Sequence, residues 1–137
     1  MNCSLIRYLW QVNRRITTYG EYFNKFYSKL DKEVQEKIDW TFQFVKFVEH
    51  IPKKHFLHLE STDGIYEIKV EFESNIYRIF CFFDEGYLVV LINSFQKKSQ
   101  KTPKAEIELA KKLKKQYFVD KKLKAEDEKG SRKSIKK

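Results

Sequence analysis

The apolar residues of this chain change period twice, and those two changes constrain its fold more than any other feature. Phe23, Phe26, Tyr27 and Leu30 share one face of a helix over about residues 21–30. Val34, Ile38, Phe42, Val45 and Val48 carry the same spacing to about residue 49. Asp31 is suited to cap this second helix, and Pro52 followed by Lys53 and Lys54 ends it. Trp40, Phe44 and Phe47 widen its apolar face, so more than one neighbour is expected to pack against it. From His55 the period falls to two. Tyr66, Ile68, Val70 and Phe72 point one way and Glu67, Lys69 and Glu71 the other. Residues 76–83 are almost continuously apolar, as in a central strand, and residues 87–95 form another. Thr62-Asp63-Gly64, Glu73-Ser74-Asn75 and Asp84-Glu85-Gly86 supply turns short enough to make the neighbouring strands antiparallel. Thr102-Pro103 then starts a helix whose buried stripe is Ile107, Ala110, Leu113 and Tyr117. The fold class expected is α+β: an N-terminal helix pair packed on a three- to four-stranded antiparallel sheet, with a C-terminal helix. A short strand near residues 15–19 is a further candidate.

A chain of 137 residues supports one domain with a modest core, rich in its 12 Phe and 8 Tyr. Residues 14–118 read as that domain, residues 1–13 as a poorly defined extension, and residues 119–137 as a Lys-rich tail. From residue 121 the apolar residues thin out, and fraying or disorder is expected. The net charge of +9 is distributed unevenly. Residues 1–96 carry 12 Lys and Arg against 13 Asp and Glu, whereas residues 97–137 carry 16 against 6. The surplus begins where the last strand meets the last helix, with Lys97, Lys98, Lys101 and Lys104 inside eight residues. Such crowding is relieved by an anionic partner, of which RNA phosphate is the commonest.

Cys3 and Cys81 do not make a disulfide framework, and Cys81 reads as a buried thiol within a strand. No CxxC or His-rich spacing suggests a metal, so neither a metal nor another cofactor is expected. His50, His55 and His58 suit solvated or structural roles. The opening residues are broken by Arg7 and are too short and polar for a signal peptide or membrane span, which points to the cytoplasm and to no membrane partner.

Four separated segments carry a resemblance. Asp63-Gly64-Ile65-Tyr66-Glu67-Ile68-Lys69, Asn75-Ile76-Tyr77-Arg78-Ile79-Phe80, Phe82-Phe83-Asp84-Glu85-Gly86 and the run from Phe95 through Gln96-Lys97-Lys98-Ser99-Gln100-Lys101-Thr102 to Pro103 resemble the RelE/HigB-type toxins of bacterial type II toxin–antitoxin systems. Within that RelE/ParE superfamily the chain is most similar to the phage-derived branch, over about residues 14–118. The resemblance implies ribosome-dependent endonuclease cleavage of mRNA, which makes the protein an inhibitor of translation. Its implied partners are mRNA on the ribosome and a small antitoxin, often of helix-turn-helix type. It also implies roles: Lys69 as general base, Arg78 on the scissile phosphate, and Lys97 or Lys98 near the leaving group. Glu67 departs from the family pattern by replacing the first of two strand lysines, and Asn93 by standing where many members have a His.

The chemistry has its own requirements. Metal-free RNA cleavage needs a base for the 2′-OH, cations for the charge growing on phosphate, and an acid for the 5′-oxygen. A free lysine is only about 0.04% neutral at pH 7, so a lysine base must be perturbed by its neighbours. Crowding among Arg78, Lys97 and Lys98 would do this. Lys101 and Lys104 are candidate RNA contacts, as are Phe95 and Tyr66 by stacking on bases, although strand aromatics also suit a core. Arg78, in an apolar strand, needs an acceptor, either a phosphate or an Asp or Glu. Two other functions fit the same pattern: a non-enzymatic ParE-like toxin that binds DNA gyrase, and an inactive relic that binds RNA or a partner.

Overall fold

A computed structural model describes residues 12–98 and 102–135, with residues 130–135 described as backbone. It contains β1 (Arg15–Thr18), α1 (Tyr22–Ser28), α2 (Lys32–Phe47), β2 (Phe56–His58), β3 (Ile65–Phe72), β4 (Asn75–Asp84), β5 (Leu88–Lys97) and α3 (Lys104–Ile135). The strands form one sheet in the order β1-β5-β4-β3-β2. The fold is α+β, as the two changes of period require. It differs from the expected sheet in having five strands, and in being mixed: β1 runs parallel to β5 while the other pairs are antiparallel. The reason is local. Three of the four β1 side chains are exposed and only Ile16 turns inward, so no alternation marks the strand. Its pairing partner lies some seventy residues away in sequence, at Leu88–Leu91.

Each face of the sheet has its own core. On one face Ile38 and Val45 of α2 pack on Ile68, Val70, Ile79, Cys81, Val89 and Leu91. On the other, Ala110 and Leu113 of α3 pack on Ile65, Phe80, Phe82, Val90 and Ile92. The alternation of apolar residues along β3, β4 and β5 thus feeds two layers of helices. Cys81 is fully buried, and burial pushes its thiol pKa upward, which keeps it an inert apolar group. Arg14 joins the layers: its guanidinium donates to the carbonyls of Val45, Val48 and Glu49 at 3.0, 2.6 and 2.7 Å, satisfying the orphan end of α2.

The segment expected to fray continues α3 to Ile135. Lys, Glu, Ala and Leu are strong helix formers, so propensity sustains a helix after its apolar stripe has ended. Side-chain bonds hold its middle: Lys121 reaches Asp84 at 2.9 Å, and the Tyr19 hydroxyl donates to Asp120. Among the described residues, no helix is long and apolar enough to cross a membrane.

Candidate active site

α3 covers only part of its side of the sheet. The uncovered part begins one ladder rung beyond Phe80, where Lys69 of β3 stands opposite Arg78 of β4 and Arg78 opposite Phe95 of β5. On the next rung Glu71, Ile76 and Lys97 are aligned in the same way. Two turns fix this register. The β3–β4 hairpin closes through Glu73 and Ser74, both with positive φ (47° and 68°), in the primed-turn geometry that suits twisted strands. The β4–β5 hairpin closes through Glu85, Gly86 and Tyr87, with Gly86 and Tyr87 at φ 72° and 60°.

A bulge completes the alignment. Ile79 pairs with Ser94 but Cys81 pairs with Leu91, so Phe80 alone faces both Ile92 and Asn93. Val90 and Ile92 point toward α3; without the extra residue, Ser94 and Gln96 would follow them. The bulge places Phe95 and Lys97 there instead, in line with Arg78. Phe95 meets Phe80 edge to face at 5.3 Å between ring centres. Asn93 uses the bulge to reach α3, donating to the Glu106 carbonyl at 2.9 Å and to its carboxylate at 2.8 Å. The residue that departs from the family His therefore ties the last strand to the first turn of the last helix.

The charges on this face are coupled. Arg78 donates through Nη1 to the carboxylate of Glu67, which is only 1% exposed. Its Nε is also buried and has no acceptor among the described residues. Of the two acceptors considered for Arg78, the resting protein uses the carboxylate. Lys69 pairs with Glu71 at 3.0 Å and keeps its side chain 30% exposed. Lys97 is half-buried, and its pKa is lowered by burial first, then by the Arg78 charge, with Lys69 acting in the same direction and Glu67 against it. Lys69, Arg78 and Lys97 thus form a cationic row in which the Lys97 pKa is lowered.

The remaining candidates divide. Phe95 belongs to the row. Lys98 is exposed just past the end of β5, and Lys104 is exposed as the first residue of α3. Lys101 lies outside the described residues. Tyr66 is on the opposite face, stacked on Phe56 at 5.0 Å and edge-on to Phe83 at 5.2 Å, so it cannot stack on a base held by Lys69 and Arg78. The alternation along β3 already separates it from Lys69. His58 packs edge-on against Tyr66, and His55 gives its carbonyl to the Lys69 amide at 2.9 Å. Arg78 was detectable as a base that interrupts an apolar strand and needs an acceptor, but Glu67 sat in the regular alternation of β3 and did not stand out as that partner. Asn93–Glu106 left no such trace. Among the described residues, no group of three or more His, Cys, Asp or Glu is placed to hold a metal ion.

A family profile described as "Phage derived protein Gp49-like (DUF891)" matches residues 25–115, which include every strand but β1 and the start of α3. No curated protein matches the chain.

Proposed function

This chain belongs to the Gp49-like family of phage-derived proteins, a family associated with RelE-like toxins, and we propose that it is a RelE/HigB-type toxin that cuts mRNA on the ribosome. The observation that carries the reading is the row of Lys69, Arg78 and Lys97 on an open sheet face, where burial first and then the Arg78 charge lower the Lys97 pKa. Cleavage by this route moves the 2′-OH proton to a neutral amine while the 2′-oxygen bonds to phosphorus. The bond from phosphorus to the 5′-oxygen breaks, and an ammonium protonates that oxygen, leaving a 2′,3′-cyclic phosphate and a 5′-hydroxyl. Lys97 has the environment of the proton-transferring lysine. Arg78 and Lys69 stabilise the charge on the phosphoryl oxygens, with Lys98 and Lys104 on the RNA path. A small antitoxin in the same cytoplasm covers this face when growth is to continue.

The buried Arg78–Glu67 pair favours a second reading, because it leaves less free charge for a phosphate. In that reading the fold binds its target without cutting it, as a ParE-like gyrase poison does. Induced expression with mapping of mRNA 5′ ends separates the two. Breaks in phase with codons on translated messages are expected, reduced about 100-fold or more in Lys97→Ala and Lys69→Ala. Intact mRNA accompanied by gyrase-dependent DNA breaks would establish the second reading and end the first.

A further inference from the structure

Beyond the last β2 pair, Phe56 with Ile68, the edge of β3 has no neighbouring strand among the described residues. A cavity of about 240 Å³ opens there, between β3, α2 and the turn that follows α2. Its charged lining is Lys37 from α2, Lys54 and His55 from the turn, and Lys69 and Glu71 from β3. Glu71 is already paired with Lys69, and its carboxyl is held below the usual range chiefly by that bond. Lys37 and Lys54 have no ion-pair partner among the described residues, so three ammonium groups share one carboxylate. The His55 pKa is lowered by burial first and then by Lys54, with Lys37 in the same direction and a backbone bond at Lys69 and the Glu71 charge against it. A single small anion inside the cavity would relieve all of these repulsions.

An aromatic surface adjoins it. Trp40 is 47% exposed on α2, edge-on to Phe44 at 4.6 Å between ring centres, and the Lys37 ammonium lies 4.3 Å from its ring centre. Exposed indole beside unpaired lysines is the combination that single-stranded RNA uses, the base on the ring and the phosphate on the cations. Lys69 links this edge to the cationic row, since it lines the cavity and also stands opposite Arg78.

We propose that the cavity at the β3 edge is a second phosphate subsite, in which Lys37, Lys54 and Lys69 hold an RNA phosphate flanking the scissile one while Trp40 stacks on the adjoining base. The assignment rests on the RNA-cutting reading for the strand's direction across the sheet, but its test does not require cutting. A fluorescent 2′-O-methyl single-stranded RNA, which lacks the attacking hydroxyl, serves as the probe, with affinity followed by anisotropy over a range of salt concentrations. The paired substitutions Lys37→Gln and Lys54→Gln are expected to weaken binding at least tenfold and to flatten the salt slope by about 0.7 for each phosphate no longer neutralised. Trp40→Ala is expected to weaken binding about tenfold with the salt slope unchanged. Far-UV circular dichroism verifies that both variants fold, and Lys54→Glu repeats the charge test at an exposed position.

Wild-type protein that ignores this RNA, or a double variant that binds it as wild type does, would overturn the subsite. So would loss of antitoxin capture in the double variant with RNA affinity intact, because the cavity would then belong to an acidic protein segment. Intact cellular mRNA alongside subsite-dependent RNA binding would instead sink the cutting reading and leave the subsite standing.

Discussion

Glu67 and Arg78 show how much of this site depends on single side chains. Glu67 is a buried carboxylate whose charge is offset by one guanidinium, itself only 11% exposed. Removing one member of such a pair leaves an uncompensated buried charge, which costs about 3–5 kcal/mol, whereas replacing both with apolar groups is often neutral. Glu67→Gln is therefore expected to lower the unfolding free energy by about 3 kcal/mol in urea titrations. The double change Glu67→Leu with Arg78→Met should recover most of that loss. A Glu67→Gln protein with an unchanged urea midpoint would mean that water already screens the pair. Part of this was legible in the sequence, because alternation along β3 puts Glu67 and Lys69 on one face and Tyr66 on the other. The same rule, applied strictly, removes Tyr66 from the RNA-contact set. What alternation could not supply was the facing of Lys97, which depends on the extra residue at Ile92–Asn93. A bulge has no side-chain signature here, since both of its residues are buried like their neighbours.

At the scale of the element, the β3–β4 hairpin carries the register that brings Lys69 opposite Arg78. Its two central residues, Glu73 and Ser74, occupy left-handed conformations that cost an L-residue with a Cβ roughly 1–2 kcal/mol. Glycine enters that region freely, and primed two-residue turns favour Asn-Gly for this reason. Ser74→Gly should accordingly stabilise the protein by about 1 kcal/mol, after allowance for the greater freedom of glycine in the unfolded chain. The measurement is a thermal melt, with the midpoint expected to rise by a few degrees while RNA binding is unchanged. A lower midpoint would mean that Ser74 contributes more to the turn than its backbone strain removes. Helices α1 and α2 were readable because a broad apolar stripe repeats over several turns. β1 was readable only as a short candidate strand, and its parallel pairing was not, because four mostly exposed residues leave no pattern and they pair with a strand some seventy residues away.

Across the whole molecule, the lysine-rich C-terminal helix α3 is held to a nearly neutral sheet by a cluster of hydroxyl and carboxylate groups beside the β4–β5 hairpin. Tyr117 donates to Asp84 at 2.6 Å, Lys121 reaches the same carboxylate at 2.9 Å, and Tyr19 of the N-terminal segment donates to Asp120. Tyr117 is pushed up to about 12 by burial first and then by Asp84. Tyr19 is pushed up to about 12 chiefly by its bond to Asp120. Lys121 is also raised, chiefly by Asp84. A group whose pKa is higher in the folded protein stabilises the fold fully below its unfolded value, about 10 for tyrosine, and loses that contribution as pH rises through the folded value. All three groups act in the same direction, so α3 should loosen between about pH 10 and 12. Burial opposes ionisation of Asp84, but bonds from Tyr117, Lys121 and the Glu85 amide outweigh it and keep its carboxyl below the usual range. The contribution of Asp84 is therefore present above the unfolded carboxylate pKa and is lost as pH falls through its lower folded value. Tyrosinate absorbance measured alongside far-UV circular dichroism tests the alkaline arm. Tyr19 and Tyr117 should ionise well above pH 10, together with a loss of helical signal. Tyr117→Phe should remove one late step and shift the helical loss to lower pH. If Tyr19 and Tyr117 instead ionised near pH 10 with the helical signal intact, α3 would be held by its apolar stripe and the Asn93–Glu106 bonds, and the polar cluster would be solvated surface.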